Sequence, residues 1–241
     1  MNTLKNSINN WLCVDTRTLA FFRITFGFMG LFDVLRRYGF IDVFYSSAGM
    51  DFKRHVTSKH AIKYFSLLDH VDSSMGVHLL FIITAICFIF FIIGYRTRFF
   101  QILAVMGLIS IHNAAVILEN GADLVYNSYL VWALFLPLGT SWSVDSIRRS
   151  LQSNKENDSN DLNKIIPFSN KRVFHVGYVA CLVQLAMIYF YNYVNKTGSM
   201  WHDGTAIHYM YQLDTFITFT GEWMRSVLSL QILKLLTLMT K

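Results

Sequence analysis

The feature that most constrains this chain is a series of apolar segments long enough to cross a lipid bilayer. A helix needs about 20 residues to span ~30 Å of hydrocarbon. Five segments reach or approach that length, at residues 19–38, 75–95, 99–118, 124–138 and 173–195, and a sixth at 225–240 is shorter and amphipathic or incomplete. The sequence therefore predicts an all-α fold, a polytopic membrane helical bundle of about five or six transmembrane helices.

The composition supports a membrane protein over a soluble one. Hydrophobic residues make up 54% of the 241 residues and charged residues only 15%, which is too little charge to cover a soluble globule of this size. The net charge of +6 comes mostly from basic residues beside apolar segments, where they orient the chain and contact anionic lipid. We therefore expect membrane lipid as a partner and no nucleic acid.

The distribution of basic residues predicts the topology. The turn GYRTR at 94–98 and a polar loop at 146–172 are rich in Arg and Lys, so the positive-inside rule places both in the cytoplasm, together with the N-terminus. The Asn- and Ser-rich part of that loop, at 152–163, indicates flexibility. We expect residues 1–241 to form a single transmembrane domain, an integral membrane protein whose site faces outward.

Several polar side chains fall at one predicted depth, near the outer ends of different spans. Ionisable groups inside a membrane are costly and by default indicate function. On the fifth span, a rotation of about 100° per residue puts Tyr189, Asn192 and Lys196 on one helix face. The sequence predicts a polar pocket that opens outward and is lined, besides Lys196, by Asp33, His112, Asn113, Asn127, Tyr189 and Asn192.

Each of these residues also has a purely structural interpretation. A lysine at a helix end can anchor the helix at the interface, and nearby tyrosines with Trp201 can form an aromatic belt. His112 and Asn127 can join helices by hydrogen bonds, and Asp203 with Thr205 can cap a short helix. We expect no metal at His202, Asp203 and His208, since a separation of six turns two histidines apart on a helix.

The chemical alternative for Lys196 is that of a base. Desolvation at the edge of an apolar pocket favours a neutral amine, and a neutral amine can take a proton from a weakly acidic substrate. The substrate would be a small molecule that partitions into lipid.

Four sequence blocks resemble one membrane-protein family. They are VDTRTLAFFRITFGFMGLFDVLRR (14–37), GYRTR (94–98), PLGTSWSVD (137–145) and NKTGSMWHDGTAIHYMYQLD (195–214). In this order they resemble the HTTM family, the horizontally transferred transmembrane domain shared with vitamin K-dependent gamma-glutamyl carboxylase. The resemblance implies a helical membrane bundle of the short bacterial form, located in the plasma membrane.

The resemblance also implies a reaction. In the carboxylase a lysine deprotonates vitamin K hydroquinone, reaction with O2 yields a strong base that removes a gamma-proton from a peptide glutamate, and CO2 adds to the carbanion. The family lysine stands five residues before a Trp, as Lys196 stands before Trp201. The resemblance therefore implies Lys196 as catalytic base toward a quinol-type cofactor, with O2 and CO2 as co-substrates, no metal, and a peptide or protein substrate on the outer side. The outer mouth would be formed by Trp201, His202, Asp203 and Gly204.

Two departures from the family keep an alternative open. Asn127 stands where the carboxylase has a histidine, and the chain has no counterpart of the soluble region that binds the protein substrate. The alternative is a non-catalytic membrane module that binds lipid or quinone, or that assists export of, or immunity to, a secreted peptide.

Overall fold

The computed structural model describes residues 12–45, 66–71, 73–156, 172–214 and 217–240, so most of the connection between the first two predicted spans, at 46–65, lies outside the described residues. The described chain is mostly helical. It divides into two compact units, Met1–Cys181 and Leu182–Lys241, and each is treated by itself below.

The first unit contains most of the helices. They are α1 (Thr16–Tyr38), α2 (Ile41–Phe44), α3 (Ser74–Ile93), α4 (Thr97–Ala114), α5 (Gly121–Ala133) and α6 (Val144–Glu156), with 3₁₀ turns at Leu67–His70 and Val116–Leu118. Two short strands, β1 (Cys13–Asp15) and β2 (Arg172–Phe174), pair antiparallel, with Val14 opposite Val173. This small sheet is an addition to the predicted all-α fold.

Helix α7 (Val176–Asn195) begins in the first unit and continues into the second. The second unit then contains α8 (Ser199–His202), α9 (Ala206–Tyr211), α10 (Phe219–Val227) and α11 (Leu230–Met239). Within it, the backbone N–H of Ile207 donates to Thr237 Oγ1 at 3.2 Å, which ties α9 to α11.

Among the described residues, three helices are long and apolar enough to cross a membrane: Thr16–Tyr38, Ser74–Ile93 and Val176–Asn195. The other predicted spans are shorter or interrupted. The third ends as helix at Ala114 and continues as a 3₁₀ turn, and the sixth is broken at Leu228–Ser229 between α10 and α11. The fourth is helical only over Gly121–Ala133, which is 13 residues.

Glycines allow close packing of the first two long helices. A Cβ added at Gly27 would meet Ile92 and Phe91, and one at Gly30 would meet the ring of Phe88 and the hydroxyl of Tyr126. The core of this unit is accordingly built between α1, α3 and α4. The close approach fixes the spacing of the helices that hold the site.

The turn GYRTR is tight, as predicted. Gly94 ends α3 with φ 75°, in the left-handed region that favours glycine, and its N–H donates to Phe90 and Phe91 carbonyls. The N-terminus of α4 is capped by a residue that is remote in the sequence. Asp145 accepts hydrogen bonds from the N–H groups of Arg96 and Thr97, at 2.9 and 2.7 Å. The turn and the start of α6 are therefore one connected structure.

Arg23 differs from its predicted placement. An arginine near the inner end of the first apolar segment is expected to extend to the membrane surface, but the Arg23 side chain is fully buried. Its guanidinium donates to the carbonyl oxygens of Leu138, Ser141 and Trp142. These carbonyls belong to an irregular segment with no helical partners for them, so Arg23 supplies the donors that the segment lacks.

The predicted polar loop at 146–172 begins as a helix. Ser143 and Ser146 exchange backbone-to-hydroxyl hydrogen bonds at 3.2 and 3.0 Å, which starts α6, and the helix runs to Glu156. Residues 157–171 of the predicted flexible loop lie outside the described residues. The expectation of a loop was therefore wrong for its first part, because the serine pair provides a helix start signal.

Candidate functional site

The centre of the candidate site is a buried histidine paired with a carboxylate. His112, near the end of α4, is buried with 1% of its side chain exposed, and its Nε2 lies 2.8 Å from Asp33 Oδ2 on α1. The two residues are joined because α1 and α4 end at the same side of the first unit. A carboxylate on one ring nitrogen fixes which nitrogen carries the proton.

Asn127 of α5 approaches the other ring nitrogen. Its Nδ2 lies 2.9 Å from His112 Nδ1, so Nδ1 accepts a hydrogen bond and Nε2–H donates one to Asp33. This tautomer places the ring proton of His112 on Nε2. Its Nδ1 lone pair is the basic position of the site.

Arginines hold the carboxylate in place. Arg36 and Arg37 donate to the two oxygens of Asp33 at 2.7 and 2.9 Å, and Arg37 also donates to Asp123 Oδ2 at 3.0 Å. Asp123 in turn accepts from the backbone of Asn120 at the start of α5. Arg37, with 4% of its side chain exposed, thus connects α1 to α5.

Two buried acceptors of the cluster have no hydrogen-bond partner among the described residues. They are Glu119 Oε1 and Asn127 Oδ1. Glu119 Oε1 lies 3.7 Å from His112 Nδ1, on the side away from Asp33, and 10% of the Glu119 side chain is exposed. Burial raises the pKa of Glu119, although the neighbouring His112 and Arg37 oppose the rise. Unpaired buried acceptors require a donor, from a proton or from a bound molecule.

A cavity of about 200 Å³ borders this cluster. It is lined by Arg36, Arg37, Phe40, Phe44 and Leu118. Two phenylalanines form its apolar wall and two arginines its polar edge, so it has the character of a small ligand site with few polar contacts.

The ligand atoms of Asp33, His112 and Asp123 lie within 4.8 Å of one another, close enough for a metal ion. However, Arg37 already donates to both aspartates. The guanidinium supplies the positive charge that a metal would bring, so this trio has the chemistry of an ion-pair network.

The structure brings together Asp33, His112 and Asn127, three of the predicted pocket residues, and Asn113 follows His112 half-buried. Their functional role stays a prediction. The sequence reasoning missed Arg37, Glu119 and Asp123. The spacing of four between Asp33 and Arg37 was the available signal, because it predicts an ion pair on a helix.

Lys196 lies in the second unit, just after α7. Its Nζ donates to the carbonyl oxygen of Thr240 and lies 4.8 Å from the centroid of the Trp201 ring. A carbonyl and an aromatic face are both partners that a lysine uses as a cation. These contacts agree with the interpretation of Lys196 as an anchor.

The other predicted residues of the second unit are mostly exposed. Tyr189 is 70% exposed, and the Asn192 amide donates to Ile188 of its own helix. Their assignment to a pocket stays a prediction. Of the predicted outer mouth, Trp201 is half-buried, His202 and Asp203 are exposed, and Gly204 is buried with φ 70°. Thr205 precedes α9 without capping it by its side chain, contrary to the capping interpretation.

Comparison of the chain with protein-family models, with curated proteins and with solved structures found no match. The resemblance to the HTTM family therefore rests on the four sequence blocks. The class defined by the fold is a mostly helical protein whose described residues include three helices suited to crossing a membrane.

Proposed function

We propose that this protein is an integral membrane enzyme of five or six crossings that removes a proton from a quinol-type, lipid-soluble cofactor. The observation that carries the proposal is the buried His112, with Nε2 on Asp33 and Nδ1 as acceptor. The additional crossings beyond the three long apolar helices would come from α4, α5 and the broken pair α10–α11. The quinol and the later steps come from the resemblance to the HTTM family.

The proposed proton transfer uses His112 Nδ1 as the base. The quinol hydroxyl takes the place of the Asn127 amide and donates to Nδ1, and the O–H proton passes to the ring. The products are a quinolate and an imidazolium. Asp33 on Nε2 and Glu119 Oε1, 3.7 Å from Nδ1, stabilise the imidazolium charge.

The cavity beside the cluster supports a ring-shaped cofactor. A single aromatic headgroup would contact Phe40 and Phe44, and Arg36 at the edge would attract the developing quinolate oxygen. The later steps of the proposal are reaction of the quinolate with O2 and addition of CO2 to a peptide glutamate, and both come from the resemblance to the HTTM family. Lys196 is the base that the resemblance implies, so the experiment must separate the two residues.

The test uses the full chain in lipid nanodiscs with vitamin K hydroquinone and O2, and measures quinone epoxide by mass spectrometry. We expect His112→Gln and Asp33→Asn to lower epoxide formation by about 100-fold or more, the range for loss of a general base. His78→Gln is the matched control, since this histidine lies outside the cluster, and we expect no change. Epoxide formation at the wild-type rate by His112→Gln would overturn the role of His112.

Lysine variants complete the experiment. If Lys196→Arg abolishes turnover while His112→Gln does not, Lys196 is the base and the acid–base role belongs to the second unit. If no epoxide forms with the wild-type protein, the enzyme proposal fails.

A second candidate function is a non-catalytic module that binds lipid or quinone, or that assists export of, or immunity to, a secreted peptide. The contacts of Lys196 with the Thr240 carbonyl and the Trp201 ring favour it, because they give this lysine an anchoring role. In that case Lys196→Arg retains bound quinone in the purified protein, since arginine preserves both contacts, and Lys196→Ala loses it. Lys234→Ala is the control for a lysine of the same unit.

A further inference from the structure

A second cavity, of about 580 Å³, lies at the opposite end of α4 from His112. Its polar and apolar lining consists of Thr97, Arg98, Gln101, Leu136, Pro137, Leu138, Gly139, Thr140, Asp145, Arg148, Arg149 and Gln152. Gln101 and His112 are separated by 11 residues of helix, or about 16 Å. The cavity is therefore distinct from the acid–base cluster.

Gln101 provides an unused donor in this cavity. The residue is 1% exposed, and its Nε2 has no hydrogen-bond partner among the described residues. A buried amide N–H that is left unpaired costs free energy, so its retention indicates an acceptor that binds there.

The charges around Gln101 identify the acceptor as an anion. Three arginines and one aspartate line the cavity, a net charge of +2. Asp145 is already used, because its carboxylate accepts from the backbone and hydroxyl of Thr97 at 2.7 Å in each case. The Arg98 guanidinium has no hydrogen bond or ion pair with any residue that the structure describes, and the Arg148 guanidinium lies over the Tyr95 ring, 4.7 Å from its centroid.

The remaining arginine is fixed by the backbone. Arg149 donates to the carbonyl oxygens of Asp145 and Gly139, which holds its side chain against the wall of the cavity. Leu136 and Pro137 form the adjacent apolar wall. The cavity thus combines one fixed guanidinium, two guanidinium groups free to turn toward a ligand, a buried amide donor and an apolar side.

We propose that this cavity binds a phosphate-bearing ligand, the headgroup of an anionic phospholipid. Guanidinium groups match phosphate oxygens in geometry and charge, and the Gln101 amide supplies a further donor. The apolar wall suits the glycerol and first methylenes of a lipid. Basic pockets between membrane helices commonly bind anionic headgroups on the cytoplasmic side, where the sequence places the GYRTR turn. The proposal does not depend on the acid–base chemistry.

The test measures lipid binding to the full chain in detergent by native mass spectrometry. The probes are phosphatidylglycerol, phosphatidylcholine and inorganic phosphate. We expect phosphatidylglycerol to bind at least 10-fold more tightly than phosphatidylcholine, and Gln101→Leu or Arg98→Ala with Arg148→Ala to lower its affinity at least 10-fold. Arg96→Ala is the matched control: it removes the same charge from the same turn but lies outside the cavity, so its affinity should stay within 2-fold of wild type.

The outcomes separate the sources of the phosphate. If inorganic phosphate binds with the same dependence on Gln101 and Arg98, the ligand is free phosphate. Recognition of phosphate by this cavity is then supported, and the lipid headgroup as its source is overturned. If the variants and the Arg96→Ala control bind phosphatidylglycerol alike, lipid contacts the basic surface generally and the proposal is overturned. The double arginine variant alters exposed side chains, so the test remains valid if Gln101→Leu fails to fold.

Discussion

The two ends of the first unit differ in which kind of buried polar atom, donor or acceptor, lacks a hydrogen-bond partner. At the end with the GYRTR turn, the unpaired buried atoms among the described residues are donors, Arg23 Nε and Gln101 Nε2. At the other end they include acceptors, Glu119 Oε1 and Asn127 Oδ1. His78 Nδ1 also lacks a partner, and its character depends on the tautomer. The difference indicates an anion for the first end and a proton donor for the second.

The two ends also differ in how far their charges are satisfied by the fold itself. Arg23 gives two of its nitrogens to backbone carbonyls and Asp145 accepts three hydrogen bonds, so both mainly stabilise the structure. Glu119 has a buried oxygen that no described residue satisfies. Substitutions at the first end should therefore cost stability, and substitutions at the second should alter proton handling at little cost in stability.

The largest effect is expected for Arg23→Met. It leaves the carbonyl oxygens of Leu138, Ser141 and Trp142 without their donor in a buried place, and we expect a loss of about 3–5 kcal/mol in the free energy of unfolding. Unfolding by SDS titration in mixed micelles measures it. Arg17→Met is the matched control, because Arg17 is 43% exposed in its pair with Asp15 and its loss should cost far less stability than the loss of Arg23. Equal losses for the two variants would contradict the structural role of Arg23.

A smaller loss is expected for Asp145→Ala, about 1–2 kcal/mol, because α4 loses its cap. Burial alone would raise the pKa of Asp145, but hydrogen bonds from Thr97 and Arg96 outweigh it and hold the pKa below its ordinary value of 3.8. The stabilisation is thus present above pH 3.8 and is lost as the pH falls through the lower folded value.

The measurement for Asp145 is thermal unfolding in detergent between pH 3 and 7. The difference between wild type and Asp145→Ala should narrow toward acid pH. Asp42→Ala, a substitution of an 84% exposed aspartate, should show no such pH-dependent difference. A constant difference across the range would show that Asp145 does not act through its charge.

The smallest effect is expected for Glu119→Gln, between neutral and about 1 kcal/mol stabilising, since a buried, unpaired carboxylate is removed. Burial raises the pKa of Glu119 above its ordinary value of 4.5, with His112 and Arg37 opposing. The wild-type protein therefore loses stability as the pH rises from 4.5 through the folded value. Glu119→Gln should lack this decline in thermal unfolding curves, and an unchanged decline would assign it to another group.

Sequence reasoning predicted in part that Asp33, His112 and Asn127 lie together, because residue depth along a helix can be counted. Asp33 and His112 stand near the ends of the first and third apolar segments, which run in the same direction, so counting placed them at one level. Counting residues does not give the depth of a side chain on a segment that is not a regular helix. The contact of Arg37 with Asp123 was missed because Asp123 lies on a different helix, and Glu119 was missed because it lies on a turn.

The basic end was predicted less well. Arg23 looks like a residue near the surface of a span, and only the fold of the segment after Pro137 shows which carbonyl oxygens need its donors. The break between α10 and α11 was likewise missed, because the apolar run from residue 225 continues through it. Ser229, the residue that precedes α11, was the available signal.

The short sheet has a consequence for the parity of the membrane crossings. Strand β1 precedes helix α1 and strand β2 precedes helix α7. The two strands pair antiparallel, with Cys13 opposite Phe174 and Asp15 opposite Arg172. Paired strands stand on one side of a bilayer, so α1 and α7 enter the membrane from the same face. With α1 and α7 as crossings, the chain from β1 to β2, which includes α1, crosses an even number of times, and the chain between α1 and α7 crosses an odd number of times, whichever face is cytoplasmic.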